Sequence, residues 1–150
     1  MMYAAIVAGL FAGDFFLKDQ VEKKVEKEEK REICGGKIVI QKYYNKGAAL
    51  NFMEKSPKAL RMVCGGIFLF LGIFWYLLLR NKKNPGILLG ISMILGGGAS
   101  NLYDRITKGH VVDYFSFRSP WERLNRIVFN ISDMFIFLGS ILMVIFGSKK

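Results

Sequence analysis

GGGASNLYDRITKGHVVDYFSF, residues Gly96 to Phe117, is the stretch whose reading decides the fold. A triple glycine closes an apolar run, and the chain then places Asn101, Asp104, Arg105 and Asp113 in quick succession. Polar and ionisable groups at the edge of hydrocarbon are costly, so they usually face a bundle interior or a water-filled cavity and mark a functional site. The plain alternative is that Asp104 and Arg105 mark where a helix leaves the bilayer. What lies on either side of the stretch decides between the two.

Outward from it, the composition points to a membrane protein. Hydrophobic residues make up 52% of 150, more than a soluble core of this size needs, and the chain has room for one domain. Leu60 to Leu79 contains no charge apart from Arg61 at its edge, and its length suffices to cross a hydrocarbon core of roughly 30 Å at ~1.5 Å per residue. A basic loop, RNKKN from Arg80 to Asn84, follows it. Pro85 then opens another apolar run to about residue 102, with Gly86 and Gly90 at small-xxx-small spacing. Residues 1–17 are apolar except for Asp14, and Gly9 and Gly13 give this run the same spacing. It has neither the basic n-region nor the cleavage site of a secretory signal and reads as an uncleaved first span. Residues 127–146 form the last span, interrupted near its start by Asn130, Ser132 and Asp133.

The expected fold is therefore an all-α membrane protein with four transmembrane helices at about 1–17, 60–79, 85–102 and 127–146. The loops at about 18–59 and 103–126 lie on one side of the membrane. The first holds a mixed-charge run, VEKKVEKEEKRE, and then KIVIQKYY from Lys37 to Tyr44, a β-branched and aromatic segment that predicts a strand in a small β-containing subdomain. Parity of crossings puts Asp14, Asn45, Asn101 to Asp113, Asn130 and Asp133 at one face, whichever way the chain is oriented. The tight RNKKN loop and the Lys149-Lys150 tail favour the cytoplasm, against the many Lys and Arg of the first loop. Trp121 is placed as an interfacial anchor.

Several chemistries find no support. The net charge of +10 sits between apolar runs and suits lipid head groups and solvent, not nucleic acid. Cys34 and Cys64 suggest neither a disulfide nor a metal pair, and His110, the single histidine, is a loop residue with no nucleophile elbow near it. No metal and no organic cofactor is expected. Intramembrane carboxylates also mark ion pathways, so a proton- or ion-coupled small transporter is the rival class. Against it, the polar residues collect at one face and do not line a route through the bilayer.

Asp14 with Lys18, Asn45 to Ala49 as N-x-G-A-A, Asn101 to Arg105 as N-L-x-D-R, Gly109 to Tyr114 as G-x-V-V-D-Y and Phe129 to Asp133 as F-N-x-x-D occur here in order. In this the whole chain resembles the bacterial lipoprotein signal peptidases, or signal peptidase II. The resemblance implies an aspartyl endopeptidase that removes the signal peptide of a prolipoprotein, cutting before the diacylglyceryl-modified cysteine. It implies a monomer among membrane lipids in the bacterial cytoplasmic membrane, with cytoplasmic termini and a site near the outer face. By position Asp113 and Asp133 would be the catalytic pair, Asn45 and Arg105 would bind substrate backbone, and Asn101 and Asn130 would brace the aspartates. Asp14, Lys18 and Asp104 would be structural and positioning groups. Ser100, Ser132 and Leu50 stand where the family usually has glycine, alanine and phenylalanine, and a catalytically inactive relative is a further alternative.

Independently of the resemblance, two close carboxylates in a partly dehydrated site cannot both ionise easily. One then keeps a proton while the other activates water. Asp14 has Lys18 at i,i+4 and Asp104 has Arg105 beside it, which would keep both ionised. Asp113 and Asp133 have no basic neighbour so near in sequence.

Overall fold

The computed structural model describes residues 1–48, 53–81 and 84–148. Ala49 and Leu50, Lys82 and Lys83 of the basic loop, and the Lys149-Lys150 tail lie outside the described residues. The chain runs α1 (Met2–Lys24), β1 (Lys30–Ile33), β2 (Ile38–Asn45), α2 (Pro57–Arg80), α3 (Pro85–Thr107), β3 (Val111–Phe117), α4 (Glu122–Asn125) and α5 (Ile131–Gly147). It is mostly helical with one small sheet. By length and composition α2 and α3 could each cross a membrane, and α5 is a shorter apolar helix.

Helix α3 sits at the centre, packed on α5, α1 and α2. Small residues make this possible. A Cβ on Gly90 would lie 2.7 Å from the Gly139 carbonyl oxygen, and one on Gly97 would lie 2.5 Å from that of Ser132, so neither position on α3 tolerates a side chain against α5. Gly86 meets the Phe146 ring in the same way. The Gly86–Gly90 spacing thus marks a true helix contact. The Gly9–Gly13 pair does not, because nothing described lies within 4 Å of a Cβ at either position. The face of α1 that meets α3 is the one carrying Val7 and Leu10, and the glycine that permits their approach is Gly96, on the partner helix.

The elements depart from the sequence-based bounds in four places, each with a local cause. Helix α1 continues through the first turn of the mixed-charge run to Lys24, where Lys23 pairs with Asp19 at i,i+4 and two lysines complement the helix C-terminus. Helix α3 runs on to Thr107, because Asp104 and Arg105 have partners inside the protein and do not mark the helix end. The sheet is not confined to the first loop: antiparallel β1-β2-β3 takes its third strand from Val111–Phe117. That segment is β-branched and aromatic, and β2 supplies its pairing edge. Finally, α5 begins at Ile131, since the residues before it extend the sheet. Phe129 N donates to Phe115 O at 2.7 Å, and Tyr114 N and Phe115 N donate to Phe129 O at 2.8 and 2.9 Å. This bridge ties β3 to the segment that leads directly into α5. It therefore fixes Asp113 relative to Asp133.

Candidate active site

Asp133 is the third residue of α5 and caps its own helix. Asn130 Oδ1 accepts from Asp133 N at 3.0 Å, and Asp133 Oδ2 accepts from Asn130 N at 3.1 Å, forming a capping box. With its oxygen engaged there, the Asn130 carboxamide must turn its nitrogen the other way. Nδ2 donates to Asp113 Oδ1 at 2.7 Å and to Asn101 Oδ1 at 3.0 Å. Asn101 is oriented by the same logic. Its oxygen also accepts from Lys18 Nζ at 2.8 Å, so its nitrogen faces Asp133 Oδ1 at 2.9 Å. Two asparagines from α3 and the α5 cap thus join the two carboxylates in one circuit.

Asp113 comes from the middle of β3 and is 2% exposed. Asn45 Nδ2 donates to its Oδ2 at 3.0 Å, while Asn45 Oδ1 accepts from Gly47 N. Burial, and then the charge of Asp133, push the Asp113 carboxyl up to about 7, against the opposing hydrogen bonds of Asn45 and Asn130. The two expected aspartates are therefore brought into one circuit, and the surroundings of Asp113 resist its ionisation. Both aspartates line a cleft of ≈ 330 Å³ together with Asn45, Asn101 and Arg105.

Behind this circuit lies a buried ionic group. Lys18 is 1% exposed and meets Asp14 Oδ2 at 2.8 Å and Asp104 Oδ2 at 3.1 Å, with those carboxylates 0% and 1% exposed. Asp14 has the i,i+4 partner expected of it. Asp104 does not use its sequence neighbour Arg105: its partners are Lys18, Lys108 and the backbone N–H of Val112. A helix points adjacent residues in different directions, which is why nearness in sequence misleads here. Arg105 instead donates to Gly47 O at 3.0 Å and to Asn101 O at 3.3 Å. Its Nε is buried without a partner among the described residues.

Three polar partners escaped the sequence reading. The hydroxyls of Ser100 and Ser132 both donate to Asp14 Oδ2 at 2.6 Å, and the Tyr114 hydroxyl donates to Asp14 Oδ1 at 3.0 Å. Serine within apolar helix sequence was the available signal, but its target lies 86 or 118 residues away. His110 keeps to the loop before β3, against Tyr44 with ring centroids 4.3 Å apart. Among the described residues no cluster of His, Cys, Asp and Glu has the makings of a metal site.

A buried carboxylate pair beside a cleft, braced by asparagines on a helical scaffold, is the arrangement of an aspartyl hydrolase. The family model described as Signal peptidase (SPase) II matches residues 6–148, and the chain belongs to that family of proteases. Curated lipoprotein signal peptidases agree along nearly the whole length. That of Ectopseudomonas mendocina is 31% identical, covering 94% of this chain and 85% of the relative. That of Cupriavidus necator is 30% identical, covering 97% and 80%. That of Streptococcus pneumoniae is 25% identical, covering 98% and 92%. Two solved structures of a bacterial membrane enzyme, obtained by the in meso method, share the fold with a TM-score of 0.85 at 21% identity, covering 96% and 99% of this chain and 85% and 94% of theirs.

Proposed function

We propose that this lipoprotein signal peptidase cleaves by a water molecule activated between Asp113 and Asp133. The carrying observation is the hydrogen-bonded circuit Asp113–Asn130–Asn101–Asp133 at the wall of the cleft. Near neutral pH Asp113 holds the shared proton, in keeping with its position at about 7. Ionised Asp133 takes a proton from water as the water oxygen attacks the scissile carbonyl. Asp113 donates its proton to the carbonyl oxygen, and the tetrahedral centre collapses as one of its hydroxyls returns a proton to Asp113 and the leaving amine takes the proton Asp133 acquired. Arg105 and Asn45, which both line the cleft, hold the substrate backbone.

The substrate is a prolipoprotein bearing a diacylglyceryl cysteine. Two apolar grooves meeting at Asp133 favour it. One follows α5 through Ile136, Phe137 and Ser140, and the other lies between α2 and α3 beside Cys64, Phe68 and Leu95. A substrate with an apolar signal helix and a pair of acyl chains has two hydrophobic arms to place. The enzyme acts as a monomer in the bacterial cytoplasmic membrane, with α1, α2, α3 and α5 as its four spans and the sheet outside. The dyad then stands at the outer boundary, where water and lipidated cysteine are both present.

The test is a cleavage assay with paired precursors that differ only in the diacylglyceryl group, with the new N-terminus read by mass spectrometry. Cleavage immediately before the cysteine of the lipidated precursor alone is expected. Equal cleavage of the unlipidated precursor would contradict the substrate assignment, and no cleavage of either would favour an inactive relative.

A further inference from the structure

Asp14 lies away from the cleft lining, yet its carboxylate holds one residue next to each member of the dyad. Tyr114 follows Asp113 and Ser132 precedes Asp133 in the chain. The Tyr114 hydroxyl donates to Asp14 Oδ1 at 3.0 Å, and the Ser132 hydroxyl donates to Asp14 Oδ2 at 2.6 Å. Tyr114 also reaches α5 directly, its oxygen accepting from Ile131 N at 3.0 Å. Asp14 is 0% exposed, Ser132 0% and Tyr114 6%, so water does not compete for these bonds. Lys18 and Ser100 occupy the rest of the Asp14 Oδ2 environment, at 2.8 and 2.6 Å, which holds the carboxylate in place from α1 and α3.

We propose that Asp14, Tyr114 and Ser132 form a clamp that sets the separation of Asp113 and Asp133. The inference rests on the reading of those two aspartates as the catalytic pair. The three clamp members are positioning residues, since none of them lines the cleft. Their effect follows from geometry. Asp113 is on a strand and Asp133 on a helix; the Phe115–Phe129 bridge ties the backbones of those two elements, and Asn130 ties the carboxylates on the cleft side. The clamp adds a side-chain link one residue from each carboxylate. A pair that must share one proton depends on its spacing, because the repulsion that separates the two dissociations falls as the groups move apart.

The test compares Tyr114→Phe, Ser132→Ala and the double variant with the wild type in full pH–rate profiles on a lipidated precursor, with thermal unfolding of each measured in the same detergent. Each single variant is expected to lose about tenfold in kcat with little change in KM, the scale of a small misplacement of reacting groups. The bell-shaped profile is expected to narrow. The double variant should fall by less than the product of the singles, because both act through one carboxylate. Asp113→Asn and Asp133→Asn, run alongside, separate the clamp from the dyad. If both abolish cleavage while the clamp variants keep the wild-type kcat and profile width, the clamp is overturned and the dyad stands. Losses that only track the folded fraction, with the profile shape unchanged, would overturn it equally. Full activity of Asp113→Asn would remove the dyad and the clamp together.

Discussion

Asn130 Nδ2 lies 2.7 Å from Asp113 Oδ1, so the residue that caps the helix bearing one aspartate also holds the other. The N-terminus of α5 and the middle of β3 are thereby one unit. The proposed catalytic geometry and helix capping share the same few atoms.

Asn130→Ala should separate these roles. It removes the contacts to Asp113 and Asn101 and half of the capping box, and each lost hydrogen bond is worth about 0.5–1.5 kcal/mol. Cleavage is expected to drop roughly ten- to a hundredfold, with a smaller loss of thermal stability. Kinetics of the purified variant close to wild type would show that the bracing is dispensable.

The buried Asp14–Lys18–Asp104 group predicts a large stability effect. Lys18→Met leaves two buried carboxylates without their shared ammonium, and breaking such a pair costs about 3–5 kcal/mol. Denaturant unfolding in detergent micelles should show it. A variant as stable as the wild type would mean that these carboxylates are not both ionised.

The sequence reading reached the convergence of these residues, the Asp14–Lys18 pair and the two bracing asparagines, but not the partners of Asp104. Parity of crossings, which needs only the number of apolar runs, leads to the expectation that Asp14, Asn101, Asp113 and Asp133 meet, and contacts through Lys18, Asn101 and Asn130 join them. The partner of Asp104 was misassigned because Arg105 is adjacent in sequence, whereas Lys18 and Lys108 are adjacent in space. β3 was overlooked because its seven residues lie between polar stretches in a loop, and its strand character depends on the β2 edge. The Gly9–Gly13 spacing was misleading for a related reason. A small-residue spacing states that close approach is possible, and only the position of the neighbouring helix decides whether it is used.

The raised Asp113 carboxyl predicts a pH-dependent stability of definite sign. The folded protein holds this proton up to about pH 7, whereas the unfolded chain releases it near the ordinary carboxylate value of 3.8. Between those values the native state binds more protons, so stability declines as pH rises from about 4 to about 7 and this contribution is absent above. Asp113→Asn should flatten the decline in melting temperature over that window. An unchanged slope in the variant would place the titrating group elsewhere.

Orientation can be read with single cysteines after Cys34 and Cys64 are replaced. Lys27→Cys, in the turn between α1 and β1, should react with an impermeant thiol reagent on intact cells, and Asn81→Cys, at the end of α2, should react only after permeabilisation. Labelling of position 81 from outside would invert the topology.

The pairing of Asp113 with Asp133 is tested most directly by the rate of cleavage of one diacylglyceryl-modified precursor by Asp113→Asn, Asp133→Asn and Asp104→Asn, each confirmed as folded and membrane-inserted. Asparagine keeps the shape of the side chain and removes the titrating proton, so either substitution in the dyad should abolish cleavage. Asp104→Asn should retain measurable activity, because its carboxylate meets Lys18, Lys108 and Val112 N and does not line the cleft. Near-normal cleavage by Asp113→Asn or Asp133→Asn would contradict the paired-carboxylate account.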